Sequence, residues 1–75
     1  MNMEIKLSLV TDIADFVKLT NSVPYEQELR QGRFVVDAKS ILGIMSLDLS
    51  KPIQYWCDTH DVELLVKIRH YKLAI

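Results

Sequence analysis

Few side chains in this sequence are equipped for chemistry, and their spacing narrows the choice further. There are two histidines, His60 and His70, and one cysteine, Cys57. Neither an HxxxH nor a CxxC spacing occurs, and Cys57 with His60 is one isolated pair, whereas a structural metal site takes about four ligands. No metal or cofactor is expected. A lone cysteine has no internal partner and suits a reducing, cytoplasmic setting. The best-placed hydroxyl is Ser40, which stands directly before the apolar run Ile41-Leu42-Gly43-Ile44-Met45. That is where a helix N-cap belongs. Its oxygen accepts a backbone amide there, worth about 1 kcal/mol, and the dipole and free amides tolerate an anion.

These residues are carried by elements that the patterning announces. Ile5, Leu7 and Leu9 alternate with Lys6 and Ser8 across residues 4–10, a strand with one buried face. Thr11 then offers a cap, and Asp12 and Asp15 place charge where the helix dipole favours it. Ile13, Phe16, Val17 and Thr20 share one face of the helix that follows, which Asn21, Ser22 and Pro24 end. Two β-rich runs around Gln31-Gly32 predict a hairpin, with Gly32 supplying the positive φ of its turn. Residues 40–49 predict a short helix, and 52–57, opened by Pro52, a strand.

The last segment reads two ways. Val62, Leu65, Val66 and Leu73 make a helical stripe behind an Asp58 or Thr59 cap. Val62, Leu64, Val66 and Ile68 also alternate with strand period. Length and capping favour the helix, and the order becomes βαββαβα.

With 75 residues the chain is expected to form one domain, residues 1–75, with a thin core and no room for a second, catalytic one. Nine basic against ten acidic side chains leave a net charge of −1, which recommends neither nucleic acid nor an anionic membrane. Tyr25, Tyr55 and Trp56 lack the basic stripe of a base-stacking surface and are better read as sheet packing. Neither a secretory signal nor a spanning segment is evident, so a soluble cytoplasmic protein is expected. The apolar end Leu73-Ala74-Ile75, or an open sheet face, would suit weak homodimerisation.

Residues 36–47, Val-Asp-Ala-Lys-Ser-Ile-Leu-Gly-Ile-Met-Ser-Leu, closely resemble the regulatory-serine signature of HPr. HPr is the phosphocarrier of the bacterial phosphoenolpyruvate-dependent sugar phosphotransferase system. Against the family pattern Lys-Ser-Ile-Met-Gly-Val-Met-Ser-Leu only Leu42 and Ile44 differ, and both conserve bulk. Gln31-Gly32-Arg33 falls where the family has a polar-Gly-basic hairpin. The resemblance implies an α+β open-faced sandwich, with a four-stranded antiparallel sheet and three helices on one face. It also implies that strand 52–57 lies between the first strand and the one at 25–30.

The same resemblance makes Ser40 the position that HPr kinase phosphorylates, and Ile41, Leu42 and Met45 an exposed apolar patch for protein partners. Ile44 and Leu47 are the inward choices. Carrier members have a histidine followed by Ala-Arg-Pro at the first strand–helix junction. Here that junction is Ser8-Leu9-Val10-Thr11-Asp12-Ile13, and Asp12 and Asp15 would repel a phosphoryl group. A non-enzymatic, regulatory protein-binding module related to the phosphotransferase system is therefore expected. The alternatives are a phosphocarrier with a non-standard acceptor, such as His70, and an HPr fold retained for an unrelated role.

Overall fold

A computed structural model describes residues 2–71. In chain order they form β1 (Asn2–Ile5), α1 (Val10–Asn21), β2 (Gln27–Gln31), β3 (Phe34–Asp37), α2 (Ile41–Met45), β4 (Ile53–Cys57) and α3 (Val62–Ile68). A 3-10 turn, Arg69–Tyr71, continues α3. All strand pairs are antiparallel, in the order β1-β4-β2-β3, so β4 runs between β1 and β2. This is the α+β, HPr-like sandwich that the resemblance implies.

Alternation makes the sheet one-sided. Ile5, Leu29, Ile53, Tyr55 and Cys57 are buried on one face, beneath Ile13 and Phe16 of α1, Ile44 of α2, and Leu64 and Ile68 of α3. The other face carries Glu4, Glu28, Arg30, Gln54 and Trp56; Arg30 pairs with Glu28 at 2.8 Å and lies 5.8 Å from the centre of the Trp56 ring. The β2–β3 loop is two residues long, and Gly32 has φ +58°. A positive φ at the first central residue alone is the II′ turn, whose twist suits a hairpin.

Several details differ from the patterning. The helix α1 begins at Val10, with Leu9 rather than Thr11 as its N-cap. Leucine has no capping oxygen. Instead the Asp12 carboxylate reaches back to accept the Leu9 amide at 3.2 Å, and that contact moves the helix start forward. The strand β1 stops at Ile5, and Leu9 is exposed instead of continuing the inward row of Ile5 and Leu7.

In α3 the N-cap is Asp61, not Asp58 or Thr59, and its carboxylate accepts from the Leu64 amide and the Tyr25 hydroxyl, each at 3.1 Å. The buried stripe is Leu64 and Ile68, while Val62 and Val66 face solvent. The tie to Tyr25 explains the choice, because it fixes the rotation of a helix that is apolar on most sides. Leu73 lies outside the described residues. Cys57, at the end of β4, is buried.

The Asp61 cap also sets a pH dependence. The amide of Leu64 first, then the Tyr25 hydroxyl, hold its carboxyl below the usual range. A group with a depressed folded pKa contributes stability above its unfolded value, near 3.9, and loses it as pH falls through the folded value. The first turn of α3 is therefore expected to loosen only below about pH 4. An acid titration of the Leu64 amide resonance checks this, and a midpoint above the ordinary aspartate value contradicts it.

Candidate functional site

The helix α2 is short because its ends are closed from within. The Ser40 Oγ accepts from the Gly43 amide at 3.1 Å, and the Ser46 hydroxyl donates to the Gly43 carbonyl at 2.6 Å. Upstream, Asp37 makes the turn into the helix: its Oδ1 accepts the Lys39 amide at 2.9 Å and its carbonyl the Ser40 amide at 3.1 Å. Gly43 lets α2 lie against β3, since a Cβ there would come within 3.2 Å of Val36 Cβ. Seated this way, Ile44 and Leu47, the inward choices beside the patch that the resemblance implies, are buried. Ile41, Leu42 and Met45 turn outward, with 46%, 82% and 54% of their surface accessible. Ser40 is half-buried at the rim of this patch.

The C-terminal end of α1 is pinned to the lead-in of α2. Thr20 Oγ1 donates to the Ala38 carbonyl at 2.8 Å, and Asn21 Nδ2 to the Lys39 carbonyl at 3.1 Å. Its N-terminal end carries two further exposed apolar side chains, Leu9 and Val10. The first of these was hidden from sequence reasoning by the β1 alternation. The second had a signal, a valine directly before the cap candidate.

The 3-10 turn that carries His70 is tied to the end of β1 and to α1 through its neighbour Tyr71. The Lys6 amide donates to the Tyr71 carbonyl at 2.9 Å, and the Tyr71 ring stands edge-on to Phe16, 5.4 Å between centres. Burial first, then the charges of Asp15 and Asp12, push the Tyr71 phenol upward. His70 is exposed beside Tyr71, with ring centres 5.5 Å apart. His60 is exposed beyond the end of β4, the end that meets the start of β1, and so lies away from the junction. Among the described residues no group of three or more His, Cys, Asp or Glu side chains is placed to hold a metal ion.

Comparison with solved structures reveals two close counterparts. One is the crystal structure of HPr-C-His from Thermoanaerobacter tengcongensis, 26% identical, covering 95% of this chain and 91% of that one, with a TM-score of 0.72. The other is the phosphocarrier protein HPr from Bacillus anthracis str. Ames, 25% identical, covering 97% and 94%, also with a TM-score of 0.72. No protein-family model and no curated protein sequence matches the chain.

Proposed function

The chain is an HPr-like protein, and from that premise we propose that it is a regulatory, protein-binding member of the phosphotransferase type rather than a phosphate carrier. The observation that carries the reading is the contrast between its two helix starts. At α2 the serine cap and the outward Ile41, Leu42 and Met45 are intact. At α1 the first turn offers Leu9, Val10, Thr11 and Asp12, with no imidazole and no guanidinium. Carrier chemistry needs a nucleophilic nitrogen and cationic or amide support for a dianion. Asp12 and Asp15 supply the opposite charge.

Docking would run through Ile41, Leu42 and Met45 on a protein partner of the phosphotransferase system. Ser40 is the switch: a phosphate there adds up to two negative charges at the rim of the apolar patch, with the Gly43 amide already directed at its oxygen. HPr kinase is the enzyme class suited to place it. The protein needs no cofactor, catalyses nothing alone and works in the cytoplasm. Among the described residues no helix is long and apolar enough to cross a membrane.

Incubation with enzyme I and labelled phosphoenolpyruvate should leave the chain unlabelled. HPr kinase with ATP should label it at Ser40, and Ser40→Ala should abolish that label. Leu42→Glu should weaken capture of the kinase about 30-fold, in line with a truncated interface anchor of ~2 kcal/mol, while its melting point stays put. Unlabelled protein, or equal labelling of Ser40→Ala, would overturn the serine assignment. The nearness of the His70 turn to α1 favours one second reading, a carrier that uses His70. Its signature is an acid-labile phosphate from phosphoenolpyruvate that disappears in His70→Ala.

A further inference from the structure

One edge of the sheet is left open, and its chemistry is self-complementary. Among the described residues strand β3 pairs only with β2. The Ala38 amide donates to the Gln27 carbonyl at 3.0 Å, so Gln27 and Ala38 form a hydrogen-bonded pair. In an antiparallel ladder such pairs alternate. Leu29–Val36 and Gln31–Phe34 are then the other bonded pairs, and the Val35 amide and carbonyl and the Asp37 amide point away from the sheet, where the Asp37 carbonyl already accepts the Ser40 amide. Phe34 and Val35 expose 62% and 56% of their surface on this edge. An open edge with such side chains is a template for another strand.

We propose that β3 pairs antiparallel with β3 of a second copy of this chain, with Val35 opposite Val35. Outward-pointing residues must oppose outward-pointing residues, which leaves three symmetric registers across the strand. Asp37 opposite Asp37 sets two carboxylates face to face. Val35 opposite Asp37 sets Arg33 against Lys39. Val35 opposite Val35 instead sets Arg33 of each copy against Asp37 of the other, and like charges directly opposed are the destabilising arrangement. This register also places Phe34 of each copy across from Val36 of the other on the helix-covered face. A concavity of about 360 Å³ lies at the end of the edge where the second copy's Arg33 arrives, lined by Glu26, Glu28, Asp37, Val35 and Lys39 among others. Glu28 is already paired with Arg30, which leaves Glu26 and Asp37 against the Lys39 ammonium, a balance that still suits a guanidinium.

The pairing covers a few residues per copy, so the dimer is weak, with a Kd on the order of 0.1 mM. Sedimentation equilibrium from roughly 10 μM to 1 mM reads it directly. Val35→Glu is the decisive variant. Within one copy the new carboxylate stands opposite Arg30 in β2 and favours the fold. Across the dimer axis two such residues stand directly opposite, with Cα atoms about 5.5 Å apart, and their like charges repel. The Kd should rise at least about tenfold with no loss of melting temperature. Arg33→Glu, in the exposed turn, should raise it in the same direction. A wild-type chain that stays monomeric throughout overturns the proposal. So does a dimer that persists in both variants, which would place the contact on the outer sheet face or in residues 72–75.

Discussion

Replacing Phe16 with alanine should cost about 3–5 kcal/mol, a large part of everything that holds this chain folded. The ring is completely buried and meets two others edge-on: Tyr55 of β4 at 6.1 Å and 87°, and Tyr71 of the 3-10 turn at 5.4 Å and 89°. It therefore joins three parts of the fold, the first helix, the middle of the sheet and the end of the last helix. Each such aromatic pair contributes roughly 0.5–1.5 kcal/mol beyond its buried area. A domain of this length has a total stability of roughly 4–11 kcal/mol. Losing so large a share should lower Tm by roughly 12–40 °C, at about 4–8 °C for each kcal/mol. Circular dichroism melts of the two proteins check it. Phe16→Leu should cost far less, because it keeps most of the volume. An alanine variant melting within a few degrees of the parent would mean that α1 is held by its other contacts alone. The 3-10 turn should feel the same loss, and with it the Lys6–Tyr71 hydrogen bond.

The residues that local rules govern were readable in advance, and those that long-range contacts govern were not. Ser40 reads as a cap because an N-cap needs only a hydroxyl and a free amide three residues on, and Gly43 supplies that amide. Gly32 reads as a turn because its conformation is confined to two residues. Periodicity does not select the inward Ile44 and Leu47, since 40–49 is apolar almost all round; they are the choice left beside the patch that the resemblance implies. By contrast, α3 is apolar on most sides, so its period allows more than one stripe. Asp61 held by Tyr25, 36 residues away in sequence, selects Leu64 and Ile68. Leu9 fits a strand pattern but lies past the point where Asp12 takes the backbone into a helix. Strand order was beyond alternation altogether. Nothing in the pattern of 52–57 says which strands flank it, and only the likeness of residues 36–47 to the HPr signature implied the central position of β4. For the candidate site, the outward turn of Ile41, Leu42 and Met45 follows from the burial of Ile44 and Leu47 on the opposite side of a five-residue helix. The docking of Tyr71 on Phe16 and on the Lys6 amide depends on contacts between distant parts of the chain that no local spacing encodes.

The buried polar network around Gln27 is the other place where one substitution should have a large effect, and its partners are invisible to pattern. Gln27 alternates onto the same face as Leu29, and it is 2% exposed and faces the core. Its Oε1 accepts the Tyr55 hydroxyl at 2.7 Å, and its Nε2 donates to the Thr20 carbonyl at 2.9 Å. Thr20 in turn donates to the Ala38 carbonyl, so one chain of hydrogen bonds links β4, β2, α1 and the approach to α2. Among the described residues no buried side-chain polar atom lacks a partner. Burial foremost, with Cys57 second, pushes the Tyr55 phenol well above its ordinary value, which keeps it a donor at every physiological pH. Gln27→Met would preserve length and remove both amide functions. The Thr20 carbonyl would lose this side-chain donor and the Tyr55 hydroxyl its best acceptor, each in a layer that water does not reach. An unsatisfied buried group costs about 1–3 kcal/mol, so a loss near 3 kcal/mol is expected in urea titration. The revealing comparison is with Tyr55→Phe. If the hydroxyl's role is to bond Gln27, then Tyr55→Phe should be costly in the parent and nearly neutral in the Gln27→Met background, since the donor it deletes is already stranded there. A double variant whose loss equals the sum of the two single losses would show the pair to be uncoupled. A coupled pair would identify this hydrogen-bond chain as what holds α1 and the approach to α2 in register beneath the exposed face formed by Ile41, Leu42 and Met45.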